Sequence, residues 1–242
     1  MTDEAGWPTR SDARRGSCRM VFKALIFILA TGCMSSSVGA SDAASSAATP
    51  LVPDSQLAAG RYRFDVESAR VTFDVPEGWD AWAYGIVPTG QGAEPPDGVG
   101  LGYWTVDNVY DDACHWNHAL PEPDVGPSVA DLVDALVAQR GHPSGDPSAV
   151  SLDGFAGTQI EMTVPAHIDF ARCWNETFLS WSALPEGGRF HQGPGQIDRL
   201  WILDVDGSRL VVDAFYYRAT SDADREQLFA IVASTQIEAI SA

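Results

Sequence analysis

A thiol and two imidazoles fall within five residues in Cys114-His115-Trp116-Asn117-His118, just after the carboxylates Asp111 and Asp112. A second imidazole-carboxylate pair, His167 and Asp169, precedes Cys173. Thiolate and imidazole ligate zinc, and an imidazole beside a carboxylate can exchange protons. Asp111, His115, His118, His167 and Asp169 are therefore the weak candidates for a polar site, and metal-assisted hydrolysis is the chemistry they would serve. Against this, structural zinc sites use paired Cys-x2-Cys or His-x3-His spacings, and neither occurs. Adjacent aspartates are also what a solvated loop carries. No catalytic residue, metal or cofactor is assigned.

Other catalytic signatures are missing. Gly-x-Ser-x-Gly is absent, and Gly141-His142-Pro143-Ser144-Gly145 has its serine one place off. No lysine follows Lys23, which excludes a phosphate-binding Gly-x-x-x-x-Gly-Lys loop and a Schiff-base lysine. His-Glu-x-x-His does not occur. Asp204-Val205-Asp206-Gly207-Ser208 starts like a calcium loop, but the twelfth position is Phe215 where a carboxylate is needed, so it reads as a surface hairpin. His191 and Gly193-Pro194-Gly195 form a loop able to shape a pocket, although a plain turn needs no more. Trp79, Trp82 and Tyr84, with Tyr103, Trp104 and Trp116, have the polar-tipped aromatic faces that suit sugars, and are equally what a core of this size requires.

Charge and cysteines speak to compartment. The 242 residues carry 33 Asp and Glu against 15 Lys and Arg, a net charge of -18. That field disfavours nucleic acid and an anionic membrane surface as partners. Residues 1–32 are an exception, basic by two charges, and end in the apolar run Ala24 to Ala30, a signal-like pattern far too short to span a bilayer. Leu29-Ala30-Thr31-Gly32-Cys33 resembles the bacterial lipobox, which implies acylation of Cys33, palmitate included, and anchoring to the cell membrane. A secretory signal cleaved nearby, releasing a secreted protein, is the other reading. The stretch before Met20, long and acidic at its start, suits no signal, so translation starting at Met20 is expected. Arg14-Arg15 lacks the apolar residues a twin-arginine signal needs after it. Residues 33–56, rich in Ser and Ala, read as a flexible tether. Of four cysteines, Cys114 and Cys173 remain for the exported domain, and an even pair there is most simply a disulfide.

The elements that must position these groups lie in residues 57–242, one domain. Tyr62, Phe64, Val66 and then Val71, Phe73, Val75 alternate with polar residues, as two half-buried strands do, with Glu67 to Arg70 as their turn. Gly98 to Val106 is a strand whose glycines mark a close approach. Val129 to Arg140 has the stripe of an amphipathic helix, capped by Ser128 with Asp131 three residues on, and ended by Gly141 and Pro143. Thr158 to Val164 and Phe178 to Leu184 are further strands. Leu200 to Val205 and Leu210 to Tyr217 are apolar on both faces, so both faces must be covered; Asp206-Gly207 joins them as a type I′ turn. A second helix starts after Ser221, and Thr235 to Ile240 is the last strand. The fold class is α+β, a largely antiparallel sheet of six to eight strands with two main helices.

Val75-Pro76-Glu77-Gly78-Trp79, Gly193-Pro194-Gly195-Gln196, Asp198 to Gly207 and Cys114-His115-Trp116 resemble a family of uncharacterised exported domains of actinobacteria, over about residues 60–240. In element order the chain is similar to the α/β/α sandwich of PsbP-like proteins and mycobacterial LpqN-type lipoproteins. Neither resemblance supplies a site residue. The expected function is a lipid-anchored envelope protein whose acidic domain binds a small ligand or an envelope protein without turnover. The alternatives are a small metal-assisted hydrolase of the envelope and a module that binds cell-wall carbohydrate through Trp79 to Tyr84.

Overall fold

The structure is a computed structural model that describes residues 47–67, 69–117, 124–185 and 187–240. The signal segment, Met20, Cys33, tether residues 33–46 and His118 lie outside the described residues. Two sheets carry the domain. Strands β1 (Thr49–Pro50), β3 (Gly60–Val66), β4 (Ala69–Val75) and β14 (Gln236–Ala239) form the smaller, in the order β1-β3-β4-β14. The larger runs β2-β5-β6-β7-β13-β12-β9-β8. Its members are β2 (Gln56–Leu57), β5 (Trp79–Trp82), β6 (Gly85–Pro88), β7 (Val99–Val109), β8 (Ser148–Leu152), β9 (Phe155–Thr163), β12 (Ile197–Val205) and β13 (Ser208–Tyr216). A hairpin of β10 (Leu179–Leu184) and β11 (Gly188–Phe190) joins it through the C-terminal half of β7, where Trp181 faces Val109. All these pairings are antiparallel except that of β1 with β3.

The expected count of six to eight strands is too low: fourteen are present among the described residues. The additional ones are short or weakly alternating. Most of the aromatic segment Trp79 to Tyr84 is β5. The folded domain also begins earlier than the expected residue 57. Thr49 and Pro50 pair with Tyr62 and Arg63, and Leu51 is buried, so residues 49–56 belong to the folded domain.

Helix α1 (Val129–Ala138) begins at the predicted cap. Ser128 Oγ accepts the Asp131 N–H while the Asp131 carboxylate accepts from the Ser128 backbone, a reciprocal box that satisfies two otherwise orphaned donors. It stops two residues short of Arg140, because Gln139 is already extended at φ -61°, ψ 122°. Helix α2 (Asp222–Ala233) is capped by Ser221, whose Oγ accepts the Asp224 N–H.

The doubly apolar central strands are covered on both faces. On one, Leu101, Tyr103, Trp201, Leu203, Val212 and Ala214 meet α2 through Leu228, Ile231 and Val232, together with the small sheet. On the other, Trp104, Ile160, Leu200, Ile202 and Val211 meet α1 through Leu132, Val133 and Leu136. Asp206 and Gly207 take φ values of 51° and 89°, as a type I′ hairpin turn demands.

Candidate functional site

Among the described residues, Asp111, His115, His167 and Asp169 form no group of three or more metal-ligating side chains. Cys114 and Cys173 are joined in a disulfide, Cα–Cα 4.6 Å, which removes both thiols from metal ligation. Asp112 organises that loop, its Oδ1 accepting the N–H groups of Cys114 and His115 at 3.0 Å each and lying 3.2 Å from His115 Nδ1. Burial works against its ionisation, but these N–H groups outweigh it and hold the carboxyl below the usual carboxylate range. Asp111, His115 and His167 are exposed, and exposed Asp169 caps a single turn by accepting from Ala171 N. Each of these described groups has a local structural task or faces solvent. The aromatic segment is likewise packed. Trp79 is buried with its indole N–H on Gln227, and the half-buried Tyr84 stacks on Trp104 at 4.4 Å between centroids.

A different set of polar groups converges beneath α1. Ser180 comes from β10, Arg189 from β11 and His191 just after it, Asp198 from β12 and Asp213 from β13. His142 follows α1, turned inward by Gly141, whose φ of +76° few side chains tolerate. Gln139 and Gln196 complete the set. All are at most 6% exposed. Asp198 and Asp213 share the α1-side face because Asp198 pairs with Phe215 and Leu200 with Asp213, a diagonal neighbourhood. Room for the guanidinium comes from β7, where Gly100 and Gly102 stand opposite Phe215 and Asp213. Arg189 fills it, lying 4.5 Å over the Phe215 ring.

The contacts are short. Arg189 donates from Nε to Asp213 Oδ2 at 2.5 Å and from Nη2 to Asp198 Oδ1 at 2.6 Å. Ser180 Oγ lies 2.7 Å from His191 Nε2 and 3.0 Å from His142 Nδ1. His142 Nδ1 is also 3.1 Å from Gln139 Oε1, and Gln139 Nε2 donates to the carbonyls of Tyr110 and Ser180. His191 Nδ1 is 3.2 Å from Asp198 Oδ2, yet that oxygen has no hydrogen-bond partner, so the contact is close but off the line of an N–H···O bond. Burial pushes both imidazoles below their ordinary titration range, His142 well below it. The same burial pushes Asp213 up to about 7. Asp198 is held below the carboxylate range because His191 and Arg189 outweigh its burial.

Ser180, His191 and Asp198 follow the order of a nucleophile, base and orienting acid, but not its working geometry. The His191–Asp198 contact is out of line. The backbone around Ser180 is paired to β7 and β11, and a carbonyl acyl group has no way in. Two open grooves flank α1. One, of about 340 Å³, is lined by Tyr110, Asp111, Asp131, Asp134 and Gln139; the other, of about 580 Å³, by Ser128, Thr158, Asp204 and Arg209. Gln139 alone connects the first groove to the buried cluster.

No family model matches the chain, and no curated protein matches it. Among solved structures it is similar to LpqN of Mycobacterium tuberculosis, a protein involved in cell envelope biogenesis, at 15% identity and a TM-score of 0.34, over 74% of this chain and 90% of that one. It is also similar to the cyanobacterial PsbP of Synechocystis, at 11% identity and a TM-score of 0.34, over 75% of this chain and 94% of that one. These are the two kinds of protein whose element order the sequence resembles. Neither assigns a functional residue.

Proposed function

We propose that the protein is a lipid-anchored protein of the cell envelope, of the exported actinobacterial kind its motifs resemble, and that its acidic domain binds a small ligand or another envelope protein without turnover. One observation carries the non-enzymatic reading. The polar groups that converge are sealed under α1, whereas the described polar candidates that reach solvent form no group of three or more. A general acid or base must come within hydrogen-bond reach of a substrate, and the buried set offers no approach. The disulfide supports an oxidising, extracytoplasmic location. Among the described residues no helix is long and apolar enough to cross a membrane, and the proposed anchor is the lipid on Cys33.

The test has two arms. Acyl labelling of the full chain is compared with Cys33→Ala, and equal label in both defeats the anchor. Incubation with a fluorophosphonate tests the rival, a serine hydrolase built on Ser180. Covalent labelling that disappears in Ser180→Ala establishes the enzyme and removes the binding reading.

A further inference from the structure

The buried cluster is short of positive charge. Two carboxylates, Asp198 and Asp213, share one guanidinium, Arg189. Buried charge left uncompensated is costly, so the cluster must hold a proton or a cation. The same cluster also leaves polar atoms without partners. His142 Nε2 and Asp198 Oδ2 are both buried and make no hydrogen bond. Native interiors rarely tolerate such atoms without a water or an ion beside them.

The hydrogen bonds of the two rings point the same way. A metal-bound imidazole uses one nitrogen for the ion and donates from the other to an oxygen, which fixes the tautomer and the ring. His142 Nδ1 faces Gln139 Oε1 at 3.1 Å, which leaves Nε2 bare. His191 Nε2 faces Ser180 Oγ at 2.7 Å, which leaves Nδ1 beside the unbonded Asp198 Oδ2. Gln196 Nε2, with two N–H donors, reaches both Asp198 Oδ1 at 2.7 Å and that Nδ1 at 3.2 Å, and an ion on Nδ1 would replace the longer of these bonds. The off-line 3.2 Å approach of His191 Nδ1 and Asp198 Oδ2 is poor for an N–H bond and close to the ligand–ligand edge of a tetrahedral site with bonds of about 2.0–2.1 Å. One nitrogen of each ring and one oxygen of Asp198 lie within 4.8 Å of one another.

We propose that His142, His191 and Asp198 bind one divalent transition-metal ion of borderline softness, with zinc the best match to two neutral imidazoles and a carboxylate. The three side chains leave the fourth tetrahedral position to a water, and because the site is buried with no approach for a substrate its role is structural. It ties the segment after α1 to the β10–β11 hairpin and to central strand β12, and Arg189 stays on the far oxygen of Asp198. Ser180, Gln139 and Gln196 orient the ligands. The three residues are 49 and 7 positions apart in sequence, which is why no ligand spacing announced them.

The test uses the full chain, purified with its disulfide intact and refolded with Zn2+ or Co2+, then dialysed against a weak chelator. The expected result is about one ion retained per chain, a visible Co2+ absorption of tetrahedral type, and a rise in Tm over chelated protein. In His142→Gln and Asp198→Asn retention should fall by about 10- to 100-fold, while His115→Ala and His167→Ala, which alter exposed imidazoles, leave it unchanged. Wild-type protein that retains no stoichiometric metal, or gives only octahedral Co2+ spectra, overturns the proposal without recourse to any variant. So does retention unchanged in a folded His142→Gln or Asp198→Asn protein.

Discussion

Arg189 Nε donates to Asp213 Oδ2 at 2.5 Å in a place where neither side chain is more than 1% exposed. The contact spans two parts of the sheet, since Arg189 belongs to the β10–β11 hairpin and Asp213 to the centre. An isolated buried pair is weak evidence for stability, because desolvation offsets its attraction. Removing one partner is another matter. Arg189→Met leaves two carboxylates facing each other without compensation and should cost about 3–5 kcal/mol in urea unfolding. Arg189→Lys should recover only part of this, as an ammonium cannot bond both carboxylates in one plane. Loss below 1 kcal/mol in Arg189→Met would show that the hairpin is not held by this pair.

Asp213 also sets a pH dependence, taken in chelated protein. Its carboxyl titrates at about 7 in the fold against an ordinary value of 3.8. Between those values the folded chain keeps a proton that the unfolded chain has lost. The stabilisation is complete below about pH 4 and is lost as pH rises through 7, up to about 4 kcal/mol. The lowered imidazoles act oppositely, removing stability as pH falls below their ordinary range. Comparing wild type with Asp213→Asn isolates the carboxyl: stability of the variant relative to wild type should improve from pH 4 to 7. Parallel curves for the two proteins would rule this proton out.

Much of the frame was legible because it follows from local rules. Ser128 with Asp131, Asp206 with Gly207, and the alternation of Tyr62 to Val75 specify a cap, a turn and a hairpin from residues a few positions apart. The buried site obeys no such rule. Its members come from five separate segments, brought together by pairing register. Still, a trace was there: Asp213 sits inside Leu210 to Tyr217, a run apolar on both faces, and a charge there has to be partnered. The His191 loop also carried a signal, in the glycines that turn it. What sequence could not supply was the partner, since Arg189 looks like any exposed arginine of a Gly-Gly-Arg turn. Local clustering misled in the other direction, at Asp111 to His115, because a hydrated loop concentrates the same residue types.

The disulfide joins cysteines 59 positions apart and packs with Ala113, Val164 and Phe178. Chain-entropy reasoning assigns such a closure about 4 kcal/mol, independent of any native contact. Cys114→Ala with Cys173→Ala, or full reduction, should lower the urea midpoint accordingly and leave the α1 face intact by near-ultraviolet circular dichroism of Trp104 and Trp181. A midpoint unchanged by reduction would mean that the unfolded chain is already restricted there.

Gly100 makes the clearest steric test of how the buried arginine is housed. It stands opposite Phe215, and a Cβ added to it would lie 2.3 Å from that ring's Cζ. The ring cannot simply turn away, because Arg189 covers it at 4.5 Å and is itself fixed by two carboxylates. Gly100→Ala should therefore cost more than the usual 1–3 kcal/mol of overpacking, since relief of the clash displaces a charge. Adding Phe215→Leu to the same chain removes the obstructing ring and should restore part of the loss. If the pair proves additive in a double-mutant cycle, the ring is free to move and Arg189 does not pin it.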